Sequence, residues 1–144
     1  MVLANTIPAY TNFIYTDLTI SGAPVSGPET GETIPGGASS LFDIVATITA
    51  KITNVGAATA AEVAQLYVGL PVSAPTTPMK QLRGFEKPTL KPGDIAGLKF
   101  ELRRKDLSYW DAEIKKWVLP SGSFEISVGS SSRNLPLRGN IDVS

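Results

Sequence analysis

The sequence predicts an all-β fold, with antiparallel strands packed as a sandwich or a barrel. Apolar residues recur at every second position in several runs, turns rich in Gly and Pro separate those runs, and no long helical period appears.

Ile14, Leu18 and Ile20 suggest an opening strand. Ile44, Ala46, Ile48, Ala50 and Ile52 alternate with Val45, Thr47, Thr49 and Lys51, which describes a strand with one face inward and one in water. Val63 to Val68 is apolar on both faces and predicts a central strand. Leu98, Phe100 and Leu102 repeat the alternation, as do Phe124, Ile126 and Val128. The last run is Leu135, Leu137, Ile141 and Val143.

Turn chemistry falls between these runs. Asn54-Val55-Gly56 follows the second strand, and Pro120-Ser121-Gly122 precedes the Phe124 strand. Lys91-Pro92-Gly93-Asp94 puts Pro and Gly where a type II turn wants a fixed φ and then a positive one. A single helical turn is predicted near Arg104 to Tyr109. Gly22 to Ser40 has almost no apolar content and reads as an irregular loop, a length of connection that is usually mobile or functional. Gly69 to Met79 carries Pro71, Pro75 and Pro78 and reads as extended and stiff. No internal repeat or boundary interrupts the chain, and its 144 residues are enough to bury one core, so residues 1–144 are expected to form a single domain.

Thirteen basic and thirteen acidic side chains cancel. Dispersed, balanced charge lacks the basic face that nucleic acid requires and the attraction that an anionic membrane surface exerts. No cysteine is present, which removes disulfides and thiolate chemistry. No histidine is present, which removes the commonest acid–base group and the commonest metal ligand. No apolar stretch is long enough to span a bilayer. Met1 to Thr6 lacks the basic flank and apolar core of a signal peptide, so a secretory leader, if the parent protein has one, is expected outside this sequence.

Catalytic arrangements are scarce. Glycosidases place two carboxylates about 5–9.5 Å apart across one sugar. Asp111 and Glu113 are the best pair available, but they read more simply as polar turn residues beside Lys115 and Lys116. A Ser–His triad cannot be assembled without histidine. No calcium loop or phosphate loop motif occurs, so no cofactor and no metal is expected. Arg103-Arg104-Lys105, followed by Asp106, reads as a solvated strand end. Tyr109, Trp110 and Trp117 lie close together across a polar turn, and exposed aromatic faces can grip sugars or lignin-like polymers. Val118 and Leu119 suggest that the Trp117 end is buried, so at least one tryptophan is expected in the core.

Several runs, in order, carry a family resemblance over about two-thirds of the chain: Ala64 to Val68, Lys80 to Lys87, Leu90 to Gly93, Arg104 to Asp111, Trp117 to Gly122 and Val128 to Arg133. They resemble the C-terminal fibronectin type III-like domain of glycoside hydrolase family 3 β-glucosidases, closest in flavour to secreted fungal members. The resemblance implies an antiparallel immunoglobulin/fibronectin type III-like β-sandwich that is not itself an enzyme. It also implies a parent that removes terminal β-linked glucose with a nucleophile and acid in upstream domains. Ile7 to Phe13 stands where the family usually has a glycine-containing linker and lacks those glycines.

The leading expectation is a structural accessory domain, exposing an apolar patch where it packs on the catalytic domains of its parent. Arg83 and Phe85 are the candidate structural or interdomain residues. The Arg83 guanidinium is expected to meet a carboxylate or an aromatic ring such as Trp110, and Gly84 to allow a backbone conformation that other residues resist. The alternative is a module binding cellulose, lignin or another polymer through Tyr109, Trp110 and Trp117. A small glycosidase using Asp111 and Glu113 ranks third. A remaining possibility is that Gly22–Ser40 or Gly69–Met79 shapes the rim of the parent's pocket.

Overall fold

The computed structural model describes residues 12–71 and 80–144. Its strands, in chain order, are β1 (Phe13–Ser21), β2 (Gly27–Pro28), β3 (Thr33–Ile34), β4 (Gly37–Ala38), β5 (Ile44–Asn54), β6 (Ala60–Ala61) and β7 (Ala64–Gly69). They continue with β8 (Gln81–Glu86), β9 (Thr89–Leu90), β10 (Ile95–Arg103), β11 (Tyr109–Asp111), β12 (Lys116–Leu119), β13 (Gly122–Gly129) and β14 (Leu137–Val143). Short 3₁₀ turns occupy Ser39–Phe42 and Arg104–Leu107, the second falling inside the predicted helical turn.

Two antiparallel sheets form the sandwich. One has the order β1-β5-β10 and the other β14-β13-β7-β8. β5 lies in the middle of the first sheet, and its alternation holds from Ala46 onward: Ala46, Ile48, Ala50 and Ile52 are buried, whereas Ile44 at the strand's start is exposed. They meet Leu66, Val68, Leu98, Phe100, Leu102, Phe124, Ile126 and Val128 in one core drawn from both sheets. Each fully buried aliphatic or Phe side chain contributes about 1.5–3 kcal/mol relative to exposure, which explains why strand phase is fixed here. β7 sits between β13 and β8, as its doubly apolar sequence predicted. The fold is therefore an all-β, antiparallel two-sheet sandwich.

The opening strand departs from the predicted phase. Ile14 is exposed and Tyr15 is buried instead. Tyr15 pairs with Ile52 and Ile20 with Ile48, so one extra residue enters β1 between Thr16 and Thr19. Asp17 sits there at φ 57°, and this bulge moves the inward set from odd to even positions. At the other end, Leu135 is buried but precedes its strand, which begins at Leu137.

The turns follow their chemistry. Asp94 N–H donates to the Lys91 carbonyl at 3.0 Å, and Gly93 takes φ 85°. Asn54 is fully buried and has a polar partner for each side-chain group. Its Nδ2 donates to the carbonyls of Ala58 at 3.0 Å and Leu90 at 2.9 Å, while Oδ1 accepts from Gly56 N–H at 2.8 Å.

The segment over residues 22–42 is more ordered in its contacts than its composition suggests. β2 pairs with β12, β3 with β4, and Leu41 is fully buried. Ser26 N–H donates to the Ser144 carbonyl and Glu29 N–H to the Trp117 carbonyl. The Pro-rich run expected at Gly69–Met79 falls largely outside the described residues. So does most of Ile7–Phe13.

Candidate functional site

The aromatic residues are brought together by the β11–β12 hairpin. Trp110 and Trp117 are cross-strand partners, as are Tyr109 and Val118. The two indoles meet edge to face, with centroids 5.9 Å apart and planes at 66°. Trp110 is 50% exposed, whereas Trp117 and Tyr109 are partly buried and Leu119 is fully buried. One hairpin strand thus points an indole outward while the other anchors it.

Trp117 is held on three sides. Its main-chain N–H donates to Glu29 Oε2 at 3.0 Å, Trp110 abuts its ring, and Lys105 Nζ lies 5.0 Å from its centroid. The same ammonium lies 5.8 Å from the Phe42 ring and donates to the Gly36 carbonyl at 3.0 Å.

The basic run is no solvated strand end. Arg103 donates to the Phe42 carbonyl at 2.6 Å, and Arg104 donates to the carbonyls of Val25 at 3.0 Å and Gly27 at 2.9 Å. With Lys105, all three cations reach across to main-chain oxygens of the 22–42 segment. Sequence reasoning missed this because carbonyl acceptors leave no compositional signal.

Arg83 and Phe85 lie on β8. The Arg83 Nε donates to the Asp106 main-chain carbonyl at 3.0 Å, and Nη2 meets Gln81 Oε1. The partner is therefore a carbonyl and an amide, not a carboxylate or the Trp110 ring. Arg83 is the extra residue of a bulge, because Leu66 pairs with Gly84 while Tyr67 pairs with Leu82. Gly84 itself has no positive φ. Its role is close approach: a Cβ there would stand 3.1 Å from Phe100 Cδ1. Phe85 is 67% exposed and Leu82 is 48% exposed.

Asp111 Oδ1 accepts from the N–H groups of Glu113 at 2.9 Å and Ile114 at 3.4 Å, which commits Asp111 to its turn. An open trough of about 530 Å³ on the outer face of the β1-β5-β10 sheet has one carboxylate in its lining, Asp17, which faces Lys51 at 3.5 Å. No cluster of three or more metal-ligating side chains occurs among the described residues. At the edge of the core, Tyr15 Oη donates to the half-buried Glu62 Oε2 at 3.2 Å. Burial pushes the Glu62 carboxyl above its ordinary value, against the hydrogen bonds from Tyr15 and from the Val63 main chain. Burial, then the charge of Glu62, pushes the Tyr15 phenol upward.

The family profile of the fibronectin type III-like domain matches residues 62–132. A protein of Aspergillus terreus named probable β-glucosidase L is 51% identical over 94% of the chain, which spans 18% of that protein. Among solved structures, the β-D-glucoside glucohydrolase from Trichoderma reesei is similar at TM-score 0.91 and 54% identity, over 94% of this chain and 19% of that one. A glycoside hydrolase family 3 β-glucosidase from Neurospora crassa is similar at TM-score 0.80 and 26% identity, over 92% of this chain and 25% of that one. The chain thus spans about a fifth of the length of the curated relatives it matches. With its two antiparallel sheets and these matches together, the chain belongs to the fibronectin type III-like domains of the kind that family 3 β-glucosidases of fungi carry.

Proposed function

We propose that residues 1–144 form a single non-catalytic accessory domain that packs on the catalytic domains of a secreted family 3 β-glucosidase and stabilises them. The observation that carries this reading is the apolar surface left in water, with Phe85 at 67% and Leu82 at 48% exposure on one strand. Large side chains of this kind gain nothing for the isolated fold, and contiguous apolar surface marks a protein contact. The cleavage of glucosides then belongs to the parent's other domains, and Asp111, spent on its turn, supports that division. Removing this domain from the parent enzyme should lower the Tm of the remainder and shorten its half-life at elevated temperature. Unchanged inactivation kinetics would count against the stabilising role.

The half-exposed Trp110 favours a second reading, in which the hairpin with Tyr109 and Trp117 contacts cellulose or lignin. Co-sedimentation of the chain with each polymer, lost on Trp110→Ala, is the expected result of that reading. Equal sedimentation of both proteins would remove it.

A further inference from the structure

We infer that the outward face of β7 and β8, carrying Val63, Tyr67, Leu82 and Phe85, is the surface that docks the catalytic part of the parent β-glucosidase. The inference rests on the accessory role proposed above and says which face performs it.

Leu82 and Phe85 are three residues apart, so in a regular strand they would point to opposite faces. The bulge at Arg83 removes that conflict. Leu82 stands beside Tyr67 and Phe85 beside Gln65, and both neighbours lie on the outer side of β7, whose inner side is Ala64, Leu66 and Val68. Val63, 38% exposed, continues the same outward phase one step before β7. Re-aiming a side chain is what bulges do in sheets. Here the device is secured twice. Arg83 is tied to the Asp106 carbonyl and Gln81, and Gly84 leaves the space that Phe100 fills. The sheet thus departs from regular pairing at the one place where doing so gathers apolar side chains on its outside.

Other exposed apolar residues lack this feature. Ile14 and Ile95 flank Thr53 on the outer face of the other sheet, but regular pairing alone puts them there. Trp110 spends one edge on Trp117. The occupant of the β7–β8 face is the rest of the same polypeptide, because the match takes up only 18% of the A. terreus relative and leaves most of that chain outside. Charge specifies the partner surface further. Lys80 and Lys87 flank the run, while Glu86 is turned toward the Lys99 main-chain N–H at 3.3 Å. The complementary surface is apolar with an acidic rim.

The test compares the full-length enzyme and this chain alone, each carrying Leu82→Ser with Phe85→Ser, or Ile14→Ser with Ile95→Ser, or Trp110→Ser with Ile114→Ser. The expected result is a Tm lowered by about 3 °C or more in the full enzyme with the Leu82/Phe85 pair alone, and no fall in the isolated chain. Equal loss in the isolated chain would make these residues part of the fold and overturn the assignment. A fall caused by either other pair, with none from Leu82/Phe85, would move the docking face and leave the accessory role standing. No fall from any pair overturns the assignment, and if deletion of the whole domain is also silent, the accessory role falls with it.

Discussion

One buried and one half-buried polar residue show what composition hides. Asn54 sits at the end of β5 and satisfies two carbonyls and one N–H with its amide, joining the turn over residues 55–58 to Leu90. A sequence reader sees a turn former in Asn54-Val55-Gly56, which is correct but local. The link to Leu90, thirty-six positions away, is invisible before the fold exists. Glu62 is the second case. Its carboxyl is raised by burial, so the folded state holds that proton more tightly than the unfolded chain does. The sign follows: Glu62 favours folding below its ordinary value of 4.5, and that contribution is lost as pH rises through the higher folded value. Glu62→Gln keeps an acceptor for Tyr15 and has no charge to bury. Urea midpoints measured from pH 3.5 to 7 should therefore show wild type losing ground against Glu62→Gln as pH rises through that window. A gap that stays constant across the range would mean the raised carboxyl does not couple to folding.

At the scale of elements, legibility followed periodicity. β5, β10 and β13 were readable because alternation over many residues marks the core-facing side, although Ser127 on the other side of β13 is buried as well. β1 was misread in phase because it contains a bulge, and a single extra residue reverses every assignment beyond it; β8, where the sequence singled out Arg83 and its neighbours without a phase, contains another. The bulge in β8 is why the three-residue spacing of Leu82 and Phe85 gave no sign that both face the same side. The tryptophan pair was half legible: the polar turn between Trp110 and Trp117 was evident, but not their cross-strand register. Gly22–Ser40 was read as irregular because its order depends on cations from a distant strand end. Arg104 carries two bonds of that clamp, with the Val25 and Gly27 carbonyls on its two terminal nitrogens. Arg104→Met keeps the stem and removes both charge-assisted bonds, each worth about 1.5–3 kcal/mol. We expect limited proteolysis within residues 25–36 to accelerate several-fold in this variant while the sheets stay protected from amide exchange. Unchanged cleavage would show that β2–β12 pairing alone secures the segment.

For the whole molecule, charge and shape act together. Thirteen acidic and thirteen basic groups leave no net charge to keep copies of the chain apart near neutral pH. An exposed apolar face then has no long-range repulsion to overcome, only the entropy of association. The isolated chain should therefore self-associate weakly as its concentration rises, through the side of the four-stranded sheet that carries Phe85 and Leu82. Higher salt should strengthen the association slightly, because apolar burial gains and the flanking lysines are screened. Leu82→Lys with Phe85→Lys replaces the patch by two like charges on both partners, and sedimentation velocity should then show a monomer throughout the same range. Trp110→Ser should leave the association intact, since the hairpin indole belongs to a different surface. If the lysine pair leaves self-association unchanged while Trp110→Ser abolishes it, the hairpin, rather than the bulged strand, is the sticky face of this sandwich.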